Sequence, residues 1–151
     1  GNDMKEWYNK QVAPDWSEKV ARVMLMLDEE NELNEIVRLV GMDALSAADR
    51  LKMESARSIR EDFLHQNAFH DVDTYTPLSK QNDMLDLVLA FYDSGIRALE
   101  DGVDMKDILK LDIREDIGRF KYLSIEETTK EKEKILKTLA EDIAKLKEKG
   151  V

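Results

Sequence analysis

The sequence predicts an all-α fold: a helical bundle built on a long helical hairpin, with further short helices and a long C-terminal helix. Three observations carry this expectation. Apolar residues recur at spacings of three and four along most of the 151 residues. Only two prolines and six glycines interrupt them, and most of these stand where a helical pattern starts or stops. Hydrophobic residues make up 42% and charged residues 37%, enough apolar matter for a core and well above the composition of a disordered chain.

Residues 1–16 hold Trp7, Tyr8 and Trp16 without a clear period, and the opening Gly1-Asn2-Asp3-Met4 has no start-like logic. This stretch reads as the cut end of a longer protein, with an ordinary frayed terminus as the alternative. The bundle then occupies residues 17–151. From Ser17 to Val40, Val20, Val23, Met24, Leu27, Leu33, Ile36, Val37 and Val40 recur helically, broken by Asp28-Glu29-Glu30. That is one helix of about 36 Å. Gly41 suits its end, and Ser46 with Asp49 resembles a capping box opening the next helix, which makes a hairpin with its tip near 41–46.

The second helix runs to about Gln66 with Leu51, Met53, Ala56, Ile59, Phe63 and Leu64 inward, followed by an irregular link over 67–76. Thr76 as cap and Pro77 in the first turn start a third helix from Leu78 to Leu99, apolar enough to lie centrally and stopped near Gly102. Short helices are expected over 104–110 and 113–120. Ser124 and Glu127 then form an S-x-x-E box before a last helix to Lys149. Its stripe of Ile125, Ile135, Leu139, Ile143 and Leu146 is too short in heptads for a free coiled coil and should pack on the bundle. Ile36, Val40, Leu51, Phe63, Met84, Val88, Phe91 and Leu99 are expected to be buried together.

Composition also excludes function classes. A net charge of -10 repels phosphates on average and argues against nucleic acid as a partner. With no cysteine, disulfides, thiolate metal sites and thiol catalysis drop out. No run approaches the roughly 20 apolar residues of a membrane span, so direct membrane insertion is not expected, and no signal-peptide core opens the chain.

A self-contained active site is hard to find. There is no G-x-x-x-x-G-K-[ST] to cradle a polyphosphate, no G-x-S-x-G and no H-E-x-x-H. Asp62-x-x-His65, with Glu61 and His70 nearby, is half of the carboxylate and histidine pattern that a di-iron bundle needs. No metal site is expected from it. Glu29, Glu30, Glu32 and Glu35 read as a solvated face, since nothing in the sequence marks any of them as buried or paired. Periodicity alone therefore gives a helical bundle and no chemistry.

Three strings carry a resemblance. Residues 32–49 read E-L-N-E-I-V-R-L-V-G-M-D-A-L-S-A-A-D, residues 56–73 read A-R-S-I-R-E-D-F-L-H-Q-N-A-F-H-D-V-D, and Phe91-Tyr92-Asp93, Ile113-Arg114-Glu115 and Gly118-Arg119 follow. The chain resembles, from about Trp7 to Lys149, the C-terminal helical domain of the catalytic alpha chain of archaeal and bacterial A/V-type ATP synthases. The first string is similar to the hairpin of F-type relatives, whose tip reads D-E-L-S-E-E-D. Here Ala44, Ala47 and Ala48 stand at the three glutamate positions. The second string, with R-E-D-F-L-x-Q-N-A-F-H, is similar to the A/V branch.

The resemblance implies a role as part of a rotary ATPase that couples ATP hydrolysis or synthesis to rotation of a central shaft and to ion transport. It implies a preceding nucleotide-binding domain, entered through residues 1–16, that holds ATP or ADP with Mg. No cofactor and no turnover are expected in this fragment alone. Gly41, Met42, Asp43, Ala44, Leu45, Ser46 and Asp49 are implied to touch the shaft. Phe69, with Gln66 and Ala68 beside it, is implied to stack on the adenine side of the ATP pocket. Implied partners are the central-shaft subunits and neighbouring non-catalytic subunits, in a cytoplasmic complex peripheral to the membrane. A stand-alone helical interaction module is the alternative.

Overall fold

The computed structural model describes residues 2–11, 13–64 and 77–149, and among them there is no β-strand. Helix α1 (Asn2–Gln11) leads into α2 (Trp16–Val40), a 3₁₀ turn (Met42–Ala44) and α3 (Ala47–Ile59), which ends in a π-helical turn (Arg60–Leu64). Then come α4 (Leu78–Glu100), α5 (Met105–Leu109), α6 (Ile113–Arg119), a second 3₁₀ turn (Phe120–Tyr122) and α7 (Ile125–Lys149). The all-α expectation holds.

Helix α4 is the central element because it is apolar on more than one side. Met84, Leu85, Leu87, Val88, Leu89 and Phe91 are all buried, so the helix has core on most of its circumference. α3 and α7 pack against it, and α2 lies against α3 and α4. The deepest side chains, Leu51, Ile59, Leu87, Ile108, Phe120 and Ile135, come from four helices and a turn. Burial of each contributes about 1.5–3 kcal/mol. Leu51 reaches α4 where Gly95 has no side chain: a Cβ at Gly95 would stand 2.7 Å from Leu51 Cδ2.

Helix ends follow their local chemistry. Asp104 caps α5 by accepting from the Lys106 N–H at 2.9 Å. At the end of α4, Gly102 adopts φ +92°, its N–H donates to Leu99 O at 3.0 Å, and Val103 N–H donates to Ala98 O at 2.9 Å. That paired closure needs a left-handed residue, which glycine supplies without strain. Glu127 reaches back to accept from both the N–H and the hydroxyl of Ser124. The buried Lys80 ammonium donates to Lys121 O, and to Leu123 O at 2.7 Å, terminating the second 3₁₀ turn from α4.

Several expectations are corrected. The aperiodic opening contains helix α1, whose Asn9 side chain accepts from the N–H and hydroxyl of Ser17 at 2.8 and 2.9 Å and so caps α2 from the preceding helix. Trp16 is buried while Trp7 is half exposed. Pro77 flanks α4 as its cap, one residue later than the cap expected at Thr76. Ile125 is exposed and leaves the stripe to Ile135, Leu139 and Ile143, with Leu146 partly buried.

The largest departure concerns the proposed core. Leu51, Met84, Val88 and Phe91 are buried, and Phe63 and Leu99 pack partly buried against the cluster, but Ile36 and Val40 are exposed. The reason is length. α2 buries nothing after Leu33, so its last two turns run past the bundle.

Candidate functional site

The region beyond Leu33 is the candidate site, and its shape is set by a tight turn. Gly41 at φ 92°, ψ 165° breaks α2, and its N–H still donates to Val37 O at 2.8 Å. That region of backbone space is essentially glycine's alone. Nothing lies within 4 Å of where a Cβ would stand, so the requirement is conformational and not one of space. The 3₁₀ turn follows, with Leu45 N–H donating to Met42 O at 3.1 Å, and Ser46 Oγ then accepts from Asp49 N–H at 3.1 Å to start α3. Donors freed by the break in the helix are thus answered within a few residues.

Behind the turn the two arms are braced by charge. Glu30, only 5% exposed, accepts two 2.6 Å hydrogen bonds from Arg60 of the π-helical turn. Glu29 pairs with Lys52 of α3, and this bond raises the lysine pKa above its ordinary value. The acidic interruption of the α2 pattern is therefore partly internal. Glu29 and Glu30 are paired across the hairpin, contrary to the solvated face expected of them. Arg22 of α2 grips Asp93 of α4 with two hydrogen bonds, one at 2.9 Å, and lies 6.0 Å from the Tyr92 ring centre.

A second brace joins three helices. Lys19 of α2 donates to Asp86 of α4 at 2.8 Å, and Lys132 of α7 donates to Asp86 at 2.7 Å and to Asp83 at 3.1 Å. Burial pushes the Asp86 carboxyl up, but hydrogen bonds from Lys132 and Lys19 outweigh it and leave the pKa below the usual value. Such half-buried, multiply bonded charges are firmer than isolated surface pairs.

The structure brings Gly41, Met42, Asp43, Ala44, Leu45, Ser46 and Asp49 together at one end of the hairpin. Met42, Asp43, Ala44 and Ser46 are exposed, Asp49 is half-buried, and Leu45 is turned inward at 9% exposure. Leu45 and Leu33 are buried apart from the main core. Ile36, Leu39 and Val40 join the exposed set. Sequence periodicity missed them because it shows that a face is apolar and not whether anything covers it. Gln66, Ala68 and Phe69 lie outside the described residues, as do His65 and His70.

An open depression of about 660 Å³ lies on another side, lined in part by Arg57, Glu61, Asp62, Arg114, Gly118 and Lys121. Charges within it pair, Arg57 with Glu61 and Lys121 with Asp62 at 3.6 Å, and Arg114 pairs with Glu54 beside it. Burial raises the Asp62 pKa, opposed by Lys121. Among the described residues no group of three or more His, Asp or Glu could hold a metal ion, and no helix is long and apolar enough to cross a membrane.

Comparison with known proteins agrees with the geometry. Residues 5–109 match the family model for the C-terminal domain of V and A type ATP synthase. The chain is 51% identical over 146 residues to a V-type ATP synthase alpha chain of Acetivibrio thermocellus, covering 97% of this chain and 25% of the relative. It is 54% identical over 150 residues to V-type ATP synthase alpha chain 1 of Clostridium tetani, covering 95% and 24%. An alpha chain of Clostridium botulinum strain Okra is 53% identical over 144 residues. The chain spans about a quarter of the length of these relatives. The V/A branch that the R-E-D-F-L string indicated is the one that matches, and the chain belongs to the family of C-terminal domains of V- and A-type ATP synthases.

Proposed function

We propose that this domain is the lever by which the catalytic alpha chain of a rotary ATP synthase exchanges work with a central shaft. The observation that carries the reading is the hairpin itself: two arms cross-braced at Glu29, Glu30, Lys52 and Arg60, with a tip that runs past the core. A rigid pair of helices transmits a push, whereas a loop would absorb it. In the full-length alpha chain, ATP or ADP with Mg binds in a preceding domain, and closure of that domain swings the bundle. The complex works in the cytoplasm at the membrane surface, with shaft and neighbouring non-catalytic subunits as partners and ion transport as the coupled event.

This chain has no phosphate-cradling glycine loop, so the fragment alone should not turn over ATP. Phe69, flanked by Gln66 and Ala68, is assigned to the adenine side of the pocket in the full-length alpha chain. There Phe69→Ala should raise the ATP concentration needed for half-maximal rate while the ring still assembles. An unchanged requirement would return Phe69 to ordinary packing.

The lever reading is tested by softening the tip. Glycines placed through residues 39–45 of the full complex should uncouple ATP hydrolysis from rotation, because the arm then bends before it pushes. Asp43→Asn with Asp49→Asn should leave rotation largely intact. Normal torque from the softened variant would reject the lever.

A further inference from the structure

The tip exposes four large apolar side chains: Ile36 at 42%, Leu39 at 70%, Val40 at 69% and Met42 at 42%. Ile36, Leu39 and Val40 are three and four residues apart, so they share one flank of the last turns of α2. Met42 follows directly beyond Gly41. Apolar residues scattered singly on a surface need no explanation, but neighbouring ones mark interaction sites. These sit at the end of a braced arm, where the fold leaves Leu39 and Val40 mostly uncovered.

Charge selects the occupant. Residues 32–50 carry four carboxylates against two guanidinium groups, and Arg38 is turned onto Glu35 at 2.7 Å. The edge of the patch is therefore acidic. A second copy of this chain, itself at -10, would bring like charges together. A partner with aliphatic side chains ringed by lysine or arginine would meet both features.

Resting on the shaft reading above, we propose that the tip holds the shaft through the apolar patch of Ile36, Leu39, Val40 and Met42, against an aliphatic surface edged with basic residues. Burial of the patch supplies the hold. The acidic edge sets approach and register, as charges at interface rims do.

The test uses the assembled ATPase. Ala44→Cys introduces the only thiol of this domain, and a short bifunctional reagent should join it to the shaft. Adding Leu39→Ser and Val40→Ser should cut the yield and the ions moved per ATP by roughly tenfold, the effect of losing a modest fraction of a contact free energy. Leu39→Asn with Val40→Thr preserves size more closely and should act in the same direction should the serine pair fold poorly. Neutralising Asp43 and Asp49 should cost far less than the polar pair, even at low salt where screening is weakest. Undiminished cross-linking and coupling in both polar variants would overturn the apolar hold while leaving the shaft reading standing. No shaft cross-link from Ala44→Cys would remove both, and a cross-link between two alpha chains would assign the patch to self-association instead.

Discussion

The base and the tip of one hairpin follow opposite rules. At the base, Trp16, Val23, Met26, Leu51 and Ile59 are buried, and charged side chains are matched across helices. At the tip, Leu39 and Val40 stand largely in water, and the Arg38–Glu35 ion pair is local and about two-thirds exposed on each side. Both halves have the same amphipathic grammar, and only the presence of covering helices separates them. A residue's hydrophobicity therefore says less about this hairpin than its distance from α4.

The sharpest way to break this comparison is truncation. Leu51→Ala at the base should cost about 2–5 kcal/mol, since the locked surroundings leave a cavity. Leu39→Ala at the tip should stay within about 0.5 kcal/mol. Urea unfolding of the isolated domain measures both. Equal losses would mean that the tip is part of the cooperative core.

Next in size is the turn. Gly41→Ala should cost about 1–3 kcal/mol through backbone strain alone, the one place where the tip should behave like the base. Glu30→Ala should cost a similar amount, about 1–3 kcal/mol, because it removes a charged hydrogen-bond pair that is largely desolvated. The matching change at the exposed pair, Glu35→Ala, should cost no more than about 1 kcal/mol. Thermal melts of the three variants set the order, and a tip-pair loss as large as that of Glu30 would contradict it.

Much of this was legible from the residues, and what was not has a physical cause. Helix positions, the Gly41 turn and the Ser46 and Ser124 starts rest on local backbone chemistry, which a window of a few residues contains. Helix α1 was hidden because what ties it to the bundle is Asn9 capping α2 at Ser17, a contact between helices with no periodic signature. The pairing of Glu29 and Glu30 was hidden because their partners Lys52 and Arg60 sit on α3 and the turn after it. The tip residues from Gly41 to Asp49 were named through resemblance, while the exposed Leu39 and Val40 became visible only with α4 in place.

The smallest effects lie in pH dependence, where two carboxylates of the bundle pull in opposite directions. Asp86 has a lowered pKa, so its contribution is present above about pH 4 and fades as pH falls through its folded value. Asp62 has a raised pKa, so its penalty is absent at low pH and grows as pH rises from about 4 through its folded value. Asp86→Asn should thus lower stability near neutrality, and Asp62→Asn should flatten the decline that accompanies rising pH. Urea midpoints followed across mildly acid pH distinguish them, and parallel behaviour of the two variants would refute the opposed signs.

The gap at Gly95 has a consequence for the tip, though the two do not touch. Leu51 fills that gap, and it is wholly buried, so it has little room to yield to an added methyl group. In Gly95→Ala either the buried Leu51 side chain would have to shift or the helices would part at their crossing, and a rigid arm that parts at one point swings at its end. Where the hairpin points is thus written into a glycine on another helix, as the bearing of a signpost is written into the cut of its socket. Two relatives with identical tips could aim them differently by a single atom at that crossing.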